Sequence, residues 1–316
     1  MKIIKPGFEI WNRDEQRGGL AIIERAGRAC YKTEDKATDE SAEAFVAGLI
    51  KRQHLSVLEH GDYIFQVEDE KMLDNIEYGM RRWKEETGQT IRLFMTREMG
   101  RYIISGNVRA WRELIASTTL AALYFDCKID PLYIAGLPFD DEHIDDPRVK
   151  RLQYSDLAYG IERLIHERMT VKFTIDRGVS HEFVRNRGNQ GFGFSQESTR
   201  YCNYSQERFG KEITVIEPCF LTKHTEPYDL WKRSCMSDEV EYFSMLNFGC
   251  QPQEARCLLP HSTKTELVMT GSLGDWNHFF DLRARRKTGM AHPQAEEVAQ
   301  PLLLEANRRY PGIFLL

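Results

Sequence analysis

Stretches with the two-residue period of a strand and stretches with the 3.6-residue period of a helix follow one another here without any βαβ rhythm. DYIFQVE after Gly61, TVKFTID at 170–176, EITVIEP at 212–218 and TELVMTGS at 265–272 read as strands; in the second, Val171, Phe173 and Ile175 share one face. A helix is expected over 17–30, with Leu20, Ile23 and Ala26 on one side. Another starts near Thr38 or Asp39, where Phe45, Val46, Leu49 and Ile50 recur at helical spacing. Further helices are expected at about 227–247, as a turn around Glu254–Leu259 closed by Pro260, over GDWNHFFDLR, and over 293–309 with an interruption at Pro301. Mixed elements in this irregular order predict the α+β class rather than a doubly wound sheet.

One stretch differs in character. Residues 69–169 are charge-rich and mostly helical in pattern, with a helix expected from about 107 to 125 (Trp111, Leu114, Ile115 and Thr118 on one stripe) and an acidic loop, DDEHIDD. They read as an insertion within a single domain spanning 1–316. The net charge of −5 argues against a general nucleic-acid binder, because neutralising a phosphate backbone needs a basic surface. Seven scattered cysteines without a Cys-x-x-Cys pair point away from zinc ribbons and redox motifs, and no metal site is expected. No apolar run reaches the ~18–20 residues of a membrane span, and the N-terminus lacks the marks of a signal peptide, so a cytoplasmic protein is expected.

The chemistry concentrates in HEFVRNRGNQGFGFSQESTRYCNY, residues 181–204. Arg185, Arg187 and Arg200 surround a Gly-rich loop and a polar run from Ser195 to Thr199. Glycines let a backbone turn sharply against a ligand, exposed N–H groups in such a turn make an anion nest, and guanidiniums grip phosphate oxygens bidentately. A phosphate-bearing ligand and a solvated, salt-bridged loop fit this pattern equally well.

The segment resembles the signature of the flavin-dependent thymidylate synthases: Arg-His-Arg, a seven-residue spacer, Ser, then Arg-Tyr. Arg185-Asn186-Arg187, Ser198 and Arg200-Tyr201 stand at those positions, with Asn186 in place of the histidine and ten spacer residues instead of seven. AIIERAGRACYKTE, SVLEHGDYIFQV, EARCLLP, TGSLGDWNHFFDLR and AHPQAEEVA resemble other family blocks in the same order. Nothing familiar covers 69–169.

The resemblance implies a mixed or antiparallel sheet flanked by helices. It implies a homotetramer with active sites shared between subunits, and the conversion of dUMP to dTMP with FAD as cofactor and NADPH and methylenetetrahydrofolate as co-substrates. By position, Ser198 and Arg283 are the expected catalytic residues. Glu182, Gln196, Ser198, Thr199, Arg200, Arg256 and Arg283 are expected to hold dUMP, and His60, Arg185, Asn186, Arg187, His278 and His292 to line FAD. Arg185, Arg187, Arg200, Arg256 and Arg283 are expected to converge on one pocket.

Each residue also has a structural reading. His60 after Glu59 could cap a helix, and Arg256 could pair with Glu254 on the surface. Trp276, Phe279 and Phe280 are spaced as a helical core face, and Cys202 reads as packing. Ser198 has no neighbouring histidine in sequence to serve as base, so hydrogen bonding to substrate suits it better than nucleophilic attack. Asn186 cannot carry a proton at neutral pH, which leaves three readings open: an active synthase, a catalytically weak paralogue that binds flavin and nucleotide, and a nucleotide-binding regulatory protein.

Overall fold

A computed structural model describes residues 1–12, 18–98, 100–117, 125, 128–137, 145–188 and 190–314. Near the N-terminus lie β1 (Lys2–Ile4), β2 (Gly7–Ile10), α1 (Gly18–Tyr31) and α2 (Ser41–Lys51). A 3₁₀ turn over Leu55–His60 leads into β3 (Asp62–Val67), followed by α3 (Glu70–Thr87), β4 (Leu93–Glu98), β5 (Arg101–Asn107), α4 (Val108–Ser117) and β6 (Val149–Arg151). The second half carries α5 (Ile161–His166), β7 (Arg168–Asp176), α6 (Arg177–Phe183), β8 (Gly193–Gln196), β9 (Thr214–Ile216), α7 (Glu226–Asn247), β10 (Lys264–Ser272), α8 (Leu273–Arg283) and α9 (Pro293–Arg309).

The central sheet runs β2-β7-β10-β8, all neighbours antiparallel, with Thr170 opposite Thr270 in the long β7–β10 ladder. The alternation read from TVKFTID is real: Met169, Val171, Phe173 and Ile175 are buried and pack with Trp276, Phe279 and Phe280 of α8 and the apolar face of α9. The mixed α+β architecture with antiparallel sheets is therefore the one expected. A parallel pair, β1 with β9, carries α7 and a small cluster containing Cys202, Cys235 and Tyr242.

The segment 69–169 holds α3 and α4 and, in addition, strands that its charge-rich text conceals. β4, β5 and β6 join β3 in a second antiparallel sheet, ordered β4-β5-β3-β6. β4 (LFMTRE) ends in charges and presents two exposed residues, so its alternation is faint at sequence level. The helix expected over 107–125 is present as Val108–Ser117, and its continuation, like most of DDEHIDD, lies outside the described residues. Helix α3 is bounded by ordinary signals. Asp69 accepts a hydrogen bond from the Lys71 N–H at its start, and Gly88 adopts a left-handed φ of 70° at its end.

The interruption expected at Pro301 does not occur; α9 is continuous through it. Proline removes one N–H and crowds the carbonyl four residues back, but Pro301 is on the exposed side of the helix, where water can take the freed carbonyl.

Two buried histidines fasten the second sheet to the rest. His60, at the entry to β3, has Nδ1 2.8 Å from Thr270 Oγ1 and Nε2 2.9 Å from Ser195 Oγ. His166, at the end of α5, has Nδ1 2.7 Å from Ser105 Oγ and Nε2 2.9 Å from Thr96 Oγ1. Burial pushes the pKa of each from 6.5 down to about 3, and the Arg168 and Arg101 charges add to the effect at His166.

Candidate active site

Helix α6 and the turn after it organise the site. Asp176 caps the helix, accepting from Val179 N at 2.8 Å, and the helix then carries Arg177, His181 and Glu182 before the chain turns through Arg185, Asn186 and Arg187. The Gly-rich loop that follows is pinned from one side. Asp275 is wholly buried; its carboxylate accepts from Gln190 N at 2.8 Å and also closes the capping box of α8 with Ser272. Gly188 (φ +61°) lies so close that an added Cβ would collide with that carboxylate. The polar run beyond the loop is pinned too. Ser198 N donates to Cys30 O at 3.0 Å, Glu197 N donates to Glu266 O at 2.8 Å, and the Glu197 carboxylate takes Lys264 Nζ at 2.6 Å.

Two pockets result. The first is small, about 130 Å³, and is lined by Arg177, His181, Thr199, Arg256 and His261 together with Leu259 and Pro260. Two guanidiniums, two imidazoles and a hydroxyl around a volume of this size form an anion cradle. The second, of about 480 Å³, joins the motif turn to the second sheet: Asn186, Arg187, Phe192 and Phe194 on one side, Gln89, Arg92, Asn107 and Arg109 on the other. Arg109 is held there between Glu59 (2.8 Å) and Glu113 (2.8 Å). Burial raises the Glu59 pKa, only partly offset by the Arg109 charge.

Between the pockets, Glu182 is a junction. Its carboxylate accepts from Arg283 Nη1 at 2.7 Å, and its backbone carbonyl accepts from Arg283 Nη2 at 3.1 Å and from Asn186 Nδ2 at 3.2 Å. Asn186 is buried, its amide nitrogen also reaches Phe183 O at 3.1 Å, and its Oδ1 has no partner among the described residues.

Of the expected site residues, the fold brings Thr199 and Arg256 into the small pocket, Asn186 and Arg187 into the larger one, and Glu182 and Arg283 into the ion pair between them. Gln196 is nearby, donating to Ser180 Oγ (2.8 Å) and Thr265 Oγ1 (3.2 Å). Ser198 Oγ accepts from Arg200 N at 3.3 Å. The five arginines do not converge on one pocket within a single chain. Arg185 and Arg200 are exposed outside both cavities, the latter with its guanidinium over the Tyr201 ring at 5.4 Å. His278 is exposed on α8, away from the core face made by Trp276 and Phe279. His292, at the start of α9, is exposed with its ring edge against Phe220. His60 is interior rather than a helix cap, and it borders a separate cavity of about 490 Å³ that also meets Arg168.

The sequence reading missed Arg177, His181 and His261, although two of them lie within ten residues of the motif turn. It also missed Arg92 and Arg109, which sit in text that resembles nothing familiar.

A model of the family described as thymidylate synthase complementing protein matches residues 14–73 and 162–312. The chain belongs to that family. The flavin-dependent thymidylate synthase of Pyrococcus furiosus is 30% identical over 171 residues, 53% of this chain and 66% of that protein. The enzyme of the same name from Pyrococcus horikoshii is 31% identical over 173 residues, 54% and 65% of the two lengths. The chain thus spans between about half and two thirds of the length of the curated relatives it matches. A solved structure titled as a UMP/dUMP methylase from Streptomyces cacaoi, bound with 5-Br dUMP, aligns over 98% of this chain and 93% of its own at 14% identity. Its TM-score is 0.40, a loose superposition. Both halves of the thymidylate synthase complementing match border the gap at 74–161, which coincides with most of the second sheet.

Among the described residues no helix is long and apolar enough to cross a membrane, and no group of three His, Cys, Asp or Glu side chains is placed to hold a metal ion.

Proposed function

We propose that this protein converts dUMP to dTMP by reductive methylation, with methylenetetrahydrofolate as carbon donor, NADPH as reductant and FAD as the bound cofactor. The observation that carries the reading is that one helix and its following turn feed two adjoining pockets, an anion cradle and a larger polar cavity with an orphaned amide oxygen.

The cradle suits a nucleotide monophosphate. Arg177 and Arg256 supply charge, Thr199 a hydroxyl, and His181 and His261 further donors, so the phosphate group fixes the position of the uracil. Arg283, oriented by its double contact to Glu182, is the fixed cation that would stabilise negative charge on the ring oxygens as carbon 5 reacts. Ser198, whose Oγ already accepts the Arg200 N–H, serves as a hydrogen-bonding group for substrate rather than as a nucleophile. Arg200 completes the substrate side from the exposed end of the motif.

The larger pocket fits a flavin. A volume of about 480 Å³ is within the range of cofactor sites, Arg187 offers a cation, Phe194 an apolar face, and the Asn186 Oδ1 lacks a donor that a bound group would supply. Flavin, when bound, supplies the hydride and one-carbon relay that no protein side chain provides. Arg185, His278 and His292 are exposed, as cofactor contacts donated to another subunit's site must be, and the homotetramer with shared sites accounts for arginines that do not meet within one chain. Exposed Leu230, Met236 and Val240 on α7, with Phe248 just beyond it, support an assembly of this kind.

Purified protein supplied with FAD, dUMP, methylenetetrahydrofolate and NADPH is expected to form dTMP; FAD-loaded protein that makes none refutes the proposal. A second reading, a slow paralogue that binds flavin and nucleotide, is favoured by one observation: the Asn186 amide is committed to two backbone carbonyls and cannot carry a proton. Under that reading Asn186→His raises turnover roughly 10²-fold or more, whereas under the leading one it leaves turnover unchanged.

A further inference from the structure

The larger pocket has an unusual provenance, since half of its wall comes from residues 74–161, which the family match skips. The charges on that wall are unevenly engaged. Arg109 is consumed by Glu59 and Glu113. Arg92, just before β4, forms no hydrogen bond or ion pair among the described residues, and the same is true of Arg187 across the cavity. The pocket therefore holds two guanidiniums that make no hydrogen bond or ion pair among the described residues, Arg92 feeling only the more distant Glu59 charge, and one buried acceptor without a donor, the Asn186 Oδ1 in a side chain only 3% exposed.

Arg92 is also fitted to the lengthened loop. Its guanidinium lies against Gly191, which sits within the ten-residue spacer between Arg187 and Ser198 and has a φ of +90°. Any Cβ at that position would collide with Arg92 Nη1. The backbone conformation demands glycine there, and the bare Cα leaves room for a guanidinium laid along the loop at the edge of the cavity.

We infer that Arg92 is a ligand-binding residue: with Arg187 it forms a cationic subsite for the phosphate-bearing part of a flavin nucleotide whose hydrogen-bond donor satisfies Asn186 Oδ1. The chemistry follows from what is unpaired. Two guanidiniums facing one cavity need anionic oxygens, the orphan carbonyl oxygen needs an N–H or O–H, and Phe194 offers a face to a flat ring. This rests on the flavin reading above. It adds that the insertion is part of the binding site and that the longer spacer exists to seat its arginine.

The test is titration of the flavin-stripped full-length protein with FAD, read by quenching of flavin fluorescence at low and high salt. Arg92→Ala is expected to weaken binding about tenfold or more, Arg92→Lys to recover part of the loss, and the difference from wild type to shrink at high salt. Gly191→Ala, which displaces the guanidinium, is expected to weaken binding in the same direction. Arg82→Ala removes a charge from the exposed face of α3, where Arg82 pairs with Glu86, and is expected to leave the affinity unchanged. Because Arg92 is exposed and its side chain makes no hydrogen bond among the described residues, its variants should keep the wild-type urea midpoint. Wild-type protein that binds FAD while Arg92→Ala binds within twofold overturns this inference and leaves the flavin reading standing. Wild-type protein that binds no flavin overturns both.

Discussion

Acidification should loosen this fold through two histidines, and the size of the effect can be worked out in advance. His60 and His166 are buried, each has both ring nitrogens hydrogen-bonded to hydroxyls, and each has its pKa pushed down to about 3. In the unfolded chain each returns to about 6.5. Between those values the unfolded state binds the extra proton, so stability is full above about pH 6.5 and is lost as pH falls toward 3. Integrated from pH 7 to pH 5, one such group removes about 2 kcal/mol and the pair about 4 kcal/mol, a large part of a typical domain's stability. His166→Gln retains hydrogen-bonding capacity for Thr96 and Ser105 but has nothing to titrate. Urea denaturation at the two pH values should show the variant losing about 2 kcal/mol less than wild type. Identical pH dependence in the two proteins would refute the argument, because it would mean that the folded protein accepts the proton at His166 without cost.

Other expectations concern the site. Arg256→Ala should weaken dUMP roughly ten- to hundredfold by calorimetry with no change in thermal midpoint, since Arg256 is exposed and makes no side-chain bond among the described residues. Gly188→Ala should cost about 2–3 kcal/mol in urea unfolding, from the left-handed backbone and the displaced Asp275 carboxylate, and should weaken flavin and nucleotide together. Arg283→Ala should lower kcat by more than it raises KM, because the cation matters most as charge develops on the ring; equal effects would assign it to ground-state binding.

Much of the architecture was legible because burial on one face imprints a period. β7 and β10 announce themselves through Val171, Phe173 and Ile175 and through TELVMTGS, and α8 through Trp276, Phe279 and Phe280. β4 was illegible because its residues are only partly covered, and β1 because three residues carry no period at all. The motif turn could be placed from its own glycines and arginines, yet the anion cradle could not be completed. Arg177 and His181 lie on a helix and His261 eighty residues further on, and only the β7–β10 pairing brings them together. His60 gave the opposite lesson. A histidine beside a glutamate looks like a surface or ligand-facing residue, and only the tertiary fold reveals that two hydroxyls satisfy it inside.

Residues 61–167 lead out from His60, which meets Thr270, and back to Arg168, which lies opposite Ser272, so both ends of this stretch touch β10 two residues apart. Topologically it could be snipped out and the stumps joined. The packing forbids so clean an excision. Ile23 of α1 and Val46, Leu49 and Ile50 of α2 belong to the same apolar cluster as Phe65, Trp111 and Leu114 and not to that of the central sheet. Two helices inside the family match thus lean part of their apolar faces on the second sheet and α4, while Ala26 and Ala29 of α1 pack with Val268 of β10, so a chain cut at those two points would bare those faces to water.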